Sequence, residues 1–216
     1  MISDKDLATL CGAIYAGSAD AWDHFDPGDD DDAVCWALKK LDGYDAVVFR
    51  GSDTFKDWIR DLRAAPIPTR LGQVHAGFYA GMEKTWAEIR AMHSQPLIIT
   101  GHSLGAARAG VLCGLAILDG TTPAARVVFG EPKPGFADLA KITDTAPGRS
   151  YRNGDHRHHD VVTDVPFSFP PFEYVHPTPI IPVTDVPTGD IFERLGLFAW
   201  HHIAHYVAAT PATAAV

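Results

Sequence analysis

A serine stands between two glycines in the stretch Gly-His-Ser-Leu-Gly, residues 101–105. The apolar run before it predicts a buried strand, and the small helix formers after it predict a helix. A sharp strand-to-helix turn exposes the serine hydroxyl, because the flanking glycines let the strand and the helix lie close together. The N-terminus of the helix also favours negative charge that develops at the serine. We therefore predict that Ser103 is a nucleophile, with a purely structural turn as the alternative.

A serine at its ordinary pKa is a weak nucleophile, so it needs a general base and an acidic group that orients the base. Where such a turn carries a nucleophile, the acid and then the histidine follow the serine along the chain. The candidates are three aspartates after a later strand and three histidines near the C-terminus: Asp155, Asp160, Asp164, His201, His202 and His205. Spacing and composition alone do not choose among them.

The elements that must position these residues alternate between strands and helices, which indicates βαβ units and a mostly parallel sheet flanked by helices. Helical spacing of apolar residues predicts helices over 3–15, 53–62, 77–92, 104–118, 136–142 and 198–209. Strands are predicted at 33–40, 45–50, 97–100, 126–130 and 149–153, the first two as a hairpin. Residues 154–188 are expected to form long loops with one extended pair. Without an internal repeat or a linker, we expect a single α/β domain over residues 1–216.

The composition argues against several classes of function. The 216 residues are 46% hydrophobic, which suits a globular domain with a substantial core. The formal net charge of −9 argues against nucleic-acid binding and against lasting contact with anionic membranes. Three cysteines without a CxxC spacing favour buried, reduced thiols. No signal-peptide pattern or membrane-spanning run is seen, so we expect a cytoplasmic protein, with release by cell lysis as an alternative.

Several motifs resemble, in order, those of the class 3 (fungal-type) lipase family. They are VVFRGSDTFKDWIRDL, VHAGF, ITGHSLGAA, VVFGEPKPG, NGDHRHHDVVTDVPF and the terminal HHIAHY. The resemblance covers roughly residues 46–207. It implies an α/β-hydrolase fold and cleavage of acyl esters, commonly of glycerol, without a metal or an organic cofactor.

The resemblance also implies roles for particular residues. Ser103 matches the family's nucleophile, Asp160 its acid and His201 its base. Ser52 matches the oxyanion-hole residue, and the backbone N–H of Leu104 would be the second donor. Asp155 stays open as an alternative acid, and His202 stays open as an alternative base.

The family's lid follows the oxyanion strand, and residues 53–65 match it. An apolar stripe on this predicted helix would cover the site when closed and meet lipid when open; it consists of Phe55, Trp58, Ile59 and Leu62. The alternative is a helix that packs permanently on the core.

We expect a serine hydrolase that acts on a lipid or small-ester substrate, as a triacylglycerol lipase or esterase with transient lipid contact and no stable protein partner. A short-chain carboxylesterase, a thioesterase and a phospholipase are alternatives with the same residues. A lipid-binding module without catalysis is a rival of another class. A metal site built from the histidines and aspartates of 155–160 and from His201 and His205 is a further rival, but the HExxH pattern is absent.

Overall fold

A mostly parallel seven-stranded sheet forms the centre of the structure. The structure is a computed structural model, and it describes residues 2–28, 34–52, 65–155, 157–186 and 199–212. The strands are β1 His24–Asp26, β2 Trp36–Leu41, β3 Tyr44–Phe49, β4 Pro66–Thr69, β5 Gly72–His75, β6 Leu97–His102, β7 Ala125–Phe129, β8 Gly148–Asn153 and β9 Ile180–Val183. Of these, β4 and β5 form a separate two-stranded hairpin. The order in the large sheet is β1-β2-β3-β6-β7-β8-β9. β1, β2 and β3 pair antiparallel, and the strands from β3 to β9 pair parallel.

Helices cover both faces of this sheet. They are α1 Asp4–Ala13, α2 Ala76–Tyr79, α3 Met82–Met92, α4 Leu104–Leu118, α5 Ala137–Thr143 and α6 Ile203–Ala209. One apolar cluster joins α3, α4 and α5 to one face, and a second joins α1 and α6 to the other. Every residue of β6 and β7 is buried, as expected for parallel strands covered on both faces. The ends of the parallel strands at β6, β7 and β8 therefore meet at one protected edge.

The predicted fold class is confirmed, but three details differ from the prediction. The helix expected over 77–92 is two helices, because Gly81 adopts φ 74° between α2 and α3. The helix expected over 198–209 is a 3₁₀ turn, Ala199–His201, followed by α6. The hairpin of β4 and β5 and the strands β1 and β9 were not predicted as strands, since β4 and β9 contain proline and β1 has only three residues.

The lid residues Phe55, Trp58, Ile59 and Leu62 lie outside the described residues, so the lid stays a prediction. Within the described residues, no helix has the length and apolarity that a membrane span requires. The three cysteines are free; Cys11 and Cys113 are buried, and Cys35 is partly exposed.

Candidate active site

The predicted nucleophile lies in a strained turn between β6 and α4. Ser103 adopts φ 60° and ψ −130°, and it is the one residue other than glycine with positive φ in the part of the chain that the structure describes. A Cβ atom at Gly101 would lie 2.4 Å from the Gly105 carbonyl oxygen, and one at Gly105 would lie 2.3 Å from the Phe49 carbonyl oxygen. Only glycine fits at either position, so strand, turn and helix approach each other as the motif predicts.

The Ser103 side chain is buried, and its hydroxyl has no hydrogen-bond partner among the described residues. Its backbone N–H donates to the Phe129 carbonyl oxygen at the end of β7, at 3.0 Å. The bond from a serine nucleophile to its base is often long without substrate and shortens when substrate binds. The structure thus shows a positioned hydroxyl that is not yet paired with a base.

Asp160 and His201 form a buried pair. Asp160 follows β8 and caps a 3₁₀ helix, Val161–Asp164, by accepting the Val162 N–H at 2.9 Å. Its Oδ2 accepts the Nδ1–H of His201 at 2.6 Å and a hydrogen bond from the Tyr206 hydroxyl. This places the proton of neutral His201 on Nδ1 and leaves Nε2 as the basic atom, which is the tautomer that a general base needs.

The Asp160 carboxylate is held in its ionised form. Burial alone would raise its pKa, but the His201 imidazole and the hydrogen bonds from Tyr206 and Val162 outweigh burial and lower the pKa below its ordinary value. The carboxylate therefore stays charged at neutral pH, where it can stabilise an imidazolium at His201.

Gly130, directly after β7, makes room for this pair. It adopts φ 59°, and a Cβ atom there would lie 2.8 Å from Asp160 Oδ2, 2.9 Å from His201 Cε1 and 3.0 Å from the Tyr206 hydroxyl oxygen. A side chain at this position would displace the acid, the base or the tyrosine.

A second buried imidazole supports His201. The ring of His102 stacks on the ring of His201, with centroids 4.6 Å apart. His102 Nε2 lies 2.8 Å from the His201 carbonyl oxygen, which can only accept, so Nε2 carries the proton and Nδ1 accepts the Tyr15 hydroxyl at 2.8 Å. Burial and the neighbouring charge of His201 lower the pKa of His102 to about 3. His102 is therefore neutral at physiological pH and adds no charge that would oppose the imidazolium of His201.

The segment that leads to the predicted oxyanion residue Ser52 lies beside Ser103. A Cβ atom at Gly51 would lie 3.0 Å from the Cβ of Ser103 and 2.9 Å from the carbonyl oxygen of His102, so the segment that ends β3 touches the turn. Ser52 follows directly, and Leu104 is the first residue of α4. Gly51 therefore lies against the turn, and the two predicted donor residues directly follow Gly51 and Ser103 in the chain.

The alternative acids and bases lie elsewhere. Asp155 is exposed and accepts two backbone N–H groups of its own loop. Asp164 pairs with His159 at 2.8 Å. His202 is exposed, and His205 pairs with Asp185 at 2.6 Å.

Geometry thus separates Asp160 and His201 from the other candidates. No group of three or more potential metal ligands forms among the residues that the structure describes; His156 is not one of them.

Sequence reasoning assigned no role to three residues of this site. Tyr206 and His102 lie inside motifs that were recognised, so their positions were visible although their contacts were not. Tyr15 is 87 residues away from its partner His102, and no sequence signal points to it.

Comparisons with known proteins identify a family for this chain. The family model for lipase (class 3) matches residues 46–169. A lipase of Caenorhabditis elegans is 30% identical over 119 residues, which are 49% of this chain and 34% of that protein. The lipase of Rhizomucor miehei is 31% identical over 108 residues, which are 44% of this chain and 30% of that protein. The matched region thus spans about a third of the length of each of these two relatives.

Solved structures show the same fold. The triacylglyceride lipase of Rhizomucor miehei superposes with a TM-score of 0.64 at 19% identity, covering 82% of this chain and 76% of that one. The protein MDLA of Penicillium cyclopium superposes with a TM-score of 0.58 at 20% identity, covering 86% of this chain and 78% of that one. Both likenesses support the α/β-hydrolase fold.

Proposed function

Since the chain belongs to the class 3 lipase family, we propose that it is a serine hydrolase that cleaves acyl esters of lipids. One observation carries this proposal: the buried Asp160–His201 pair lies at the same sheet edge as Ser103, a serine held at φ 60° in a strand-to-helix turn. Ser103 is the nucleophile, His201 the general base and Asp160 the residue that orients the base.

The first step forms an acyl-enzyme. Ser103 Oγ attacks the carbonyl carbon of the ester while His201 Nε2 takes the hydroxyl proton. Asp160 holds the Nδ1–H of His201 and stabilises the positive charge that develops on the ring. The tetrahedral intermediate then breaks its bond to the alkoxy group, and His201 returns the proton to that leaving oxygen. An alcohol departs, and the acyl group stays on Ser103.

The negative charge on the intermediate needs hydrogen-bond donors. The backbone N–H groups of Ser52 and Leu104 have this role, supported by the N-terminus of α4. Loss of one such donor typically lowers turnover by about 10²–10³-fold.

Hydrolysis repeats the same chemistry with water. His201 removes a proton from a water molecule that attacks the acyl carbon, and the proton then passes to Ser103 Oγ as the acid leaves. Every proton transfer in both steps uses side chains of this chain, so the mechanism requires no metal or organic cofactor.

The test is hydrolysis of a series of p-nitrophenyl esters, from acetyl to palmitoyl, by wild type and by Ser103→Ala. We expect activity in the wild type and a loss of at least about 10⁴-fold in the variant, because the nucleophile is removed. Ser18→Ala is the matched control, since Ser18 is exposed and its side chain caps no helix.

Thermal unfolding shows whether each variant is folded. Activity that persists in folded Ser103→Ala contradicts the proposal, as does a folded wild type without activity on any ester. The acyl length with the highest rate distinguishes a lipase acting on long chains from a short-chain esterase.

A further inference from the structure

A loop with no charged side chain follows the 3₁₀ helix that Asp160 caps. Its sequence is Val-Pro-Phe-Ser-Phe-Pro-Pro-Phe, residues 165–172. Phe167 is 70% exposed and Phe169 is 57% exposed, the highest values for large hydrophobic side chains in the described part of the chain. All five residues from 167 to 171 are exposed. Single exposed hydrophobic residues are common in proteins, but a contiguous uncharged run with two exposed phenylalanines marks an interaction surface.

The backbone of the turn at residues 169–172 of this loop suits an apolar environment. Phe169 and Phe172 exchange both of their backbone hydrogen bonds, at 2.8 and 2.6 Å, and so close a turn. Between them lie Pro170 and Pro171, which have no N–H group. An unpaired N–H group is costly in a lipid phase, and the Phe169–Phe172 turn presents none.

The same feature argues against strand addition by a protein partner at residues 169–172, because strand addition requires free backbone N–H groups. Phe172 also packs edge-to-face on Phe169, with ring centroids 5.6 Å apart, which helps to hold Phe169 in its exposed position.

The loop is attached to the edge of the sheet that carries the site. The backbone N–H of Lys133 donates to the Val165 carbonyl oxygen at 2.8 Å, and its ammonium group donates to the Asp164 carbonyl oxygen at 2.9 Å. On the far side of the loop, the Val175 N–H donates to the Gly135 carbonyl oxygen at 2.9 Å. Residues 133–135 follow β7 just after Gly130, which contacts Asp160 and His201. Both ends of the loop are thus fastened close to the site.

We propose that residues 165–172 form a lipid-docking loop, in which Phe167 and Phe169 enter the surface of an uncharged or zwitterionic lipid phase and bring the active-site edge against it. This inference rests on the proposed function, because an enzyme that cleaves lipid esters must meet its substrate at such a surface. The net charge of −9 disfavours an anionic surface, and the loop itself has no charged side chain to oppose entry into a neutral one.

Vesicle binding tests this loop without catalysis. The Ser103→Ala protein is mixed with phosphatidylcholine vesicles, and bound protein is separated by flotation. The same measurement is made with Phe167→Ser/Phe169→Ser added to Ser103→Ala. We expect at least about tenfold weaker binding, because two aromatic side chains no longer leave water. Leu118→Ser is the matched control: Leu118 is 44% exposed but ends α4, at the opposite end of the helix from the site, so binding should not change.

A single variant, Phe167→Glu, repeats the test without touching the Phe169–Phe172 pair, and it should also bind at least about tenfold more weakly. Equal vesicle binding by all of these folded proteins overturns the proposal. So does a wild type that is dimeric by light scattering and becomes monomeric in the double variant, because the loop would then contact a second copy of the chain.

Activity separates the docking loop from the proposed function. In the background with Ser103 intact, the double variant should lose at least about tenfold more activity on an emulsified long-chain ester than on a dissolved short-chain ester. Equal losses on both substrates contradict the docking loop but leave the hydrolase intact. A wild type that binds vesicles and hydrolyses no ester supports the loop and contradicts the proposed function.

Discussion

Two aspartate–histidine pairs are formed by neighbouring segments of the chain and have the same oxygen–nitrogen distance. Asp160 and His201 are joined at 2.6 Å, and Asp185 and His205 are also joined at 2.6 Å. The surroundings differ. The Asp160 side chain is fully buried, whereas 40% of the Asp185 side chain is exposed. Distance alone therefore does not distinguish the buried Asp160–His201 pair from the partly exposed Asp185–His205 pair; burial and the neighbouring groups do.

The neighbours of the two histidines sharpen the difference. His201 stacks on His102, which is buried and neutral, and its partner Asp160 also accepts the hydroxyl of Tyr206. Among the aromatic rings that the structure describes, His205 meets only the ring of the exposed His202, edge to face, with ring centroids 6.4 Å apart. The His201 imidazole is held on several sides, whereas His205 is partly buried and its partner Asp185 is 40% exposed.

The largest expected difference is in kcat, when the aspartate of each pair is replaced in turn. Asp160→Asn should lower kcat on a dissolved ester by about 10³–10⁴-fold, because an amide can donate to Nδ1 and so favours the wrong tautomer of His201. Asp185→Asn should change kcat by less than about threefold, since Asp185 is 40% exposed and pairs with His205 rather than with His201. Steady-state kinetics of both folded variants provide the comparison. If the two variants lose activity equally, the site cannot be assigned to Asp160 and His201.

A smaller effect is expected at Tyr206. Tyr206→Phe removes one hydrogen bond to Asp160 and one acceptor for the Asn153 N–H, which should cost about 1–3 kcal/mol of unfolding free energy and lower kcat about tenfold. Tyr44→Phe, at the opposite end of the sheet, is the matched control. Urea unfolding and kinetics measure both quantities. A variant as stable and as active as the control would show that Tyr206 does not support the pair.

The same variant has a defined pH dependence. The pKa of Asp160 is lowered in the folded state, so the ionised carboxylate stabilises the folded protein at pH values above about 3.9, the pKa of an aspartate in the unfolded chain. This stabilisation is lost as the pH falls through the lowered pKa of the folded state. Removal of the Tyr206 hydroxyl raises the pKa of Asp160, so in Tyr206→Phe the loss should begin at a higher pH.

At neutral pH, His102→Gln is expected to have the smallest effect on the unfolding free energy, and its effect becomes measurable at acidic pH. The unfolded chain binds a proton at this histidine below about pH 6.5, while the folded protein binds it only near pH 3. The unfolding free energy should therefore fall as pH drops through this range, by up to about 1.4 kcal/mol per pH unit, and His102→Gln should reduce that slope.

Urea unfolding at several pH values between 4 and 6.5 measures the slope. His202→Gln is the control, because its imidazole is exposed and its pKa is lowered less strongly, by partial burial and the neighbouring histidines. Equal slopes in wild type and His102→Gln would contradict a neutral His102.

Local signals predicted much of the fold. The helix over 104–118 was predicted with its observed bounds, since its small and apolar residues have helical periodicity and a glycine-flanked turn precedes it. The break at Gly81 was missed, because a glycine within a periodic stretch is compatible with a continuous helix. The strand β9, Ile-Ile-Pro-Val, was missed because proline weakens a strand signal and only pairing with β8 stabilises it.

The sequence by itself predicted the strand-to-helix turn at Ser103, because the strand signal, the two glycines and the helix signal are adjacent in the chain, whereas the contact that requires glycine at 105 is tertiary and involves Phe49. It also restricted the acid and the base to short segments, and the family resemblance then indicated one residue in each. The tertiary structure decided which carboxylate meets which imidazole, and it placed Tyr15 on His102 and Tyr206 on Asp160. These contacts join residues far apart in the chain, so they depend on how the strand ends converge and on the burial that lowers the pKa of His102.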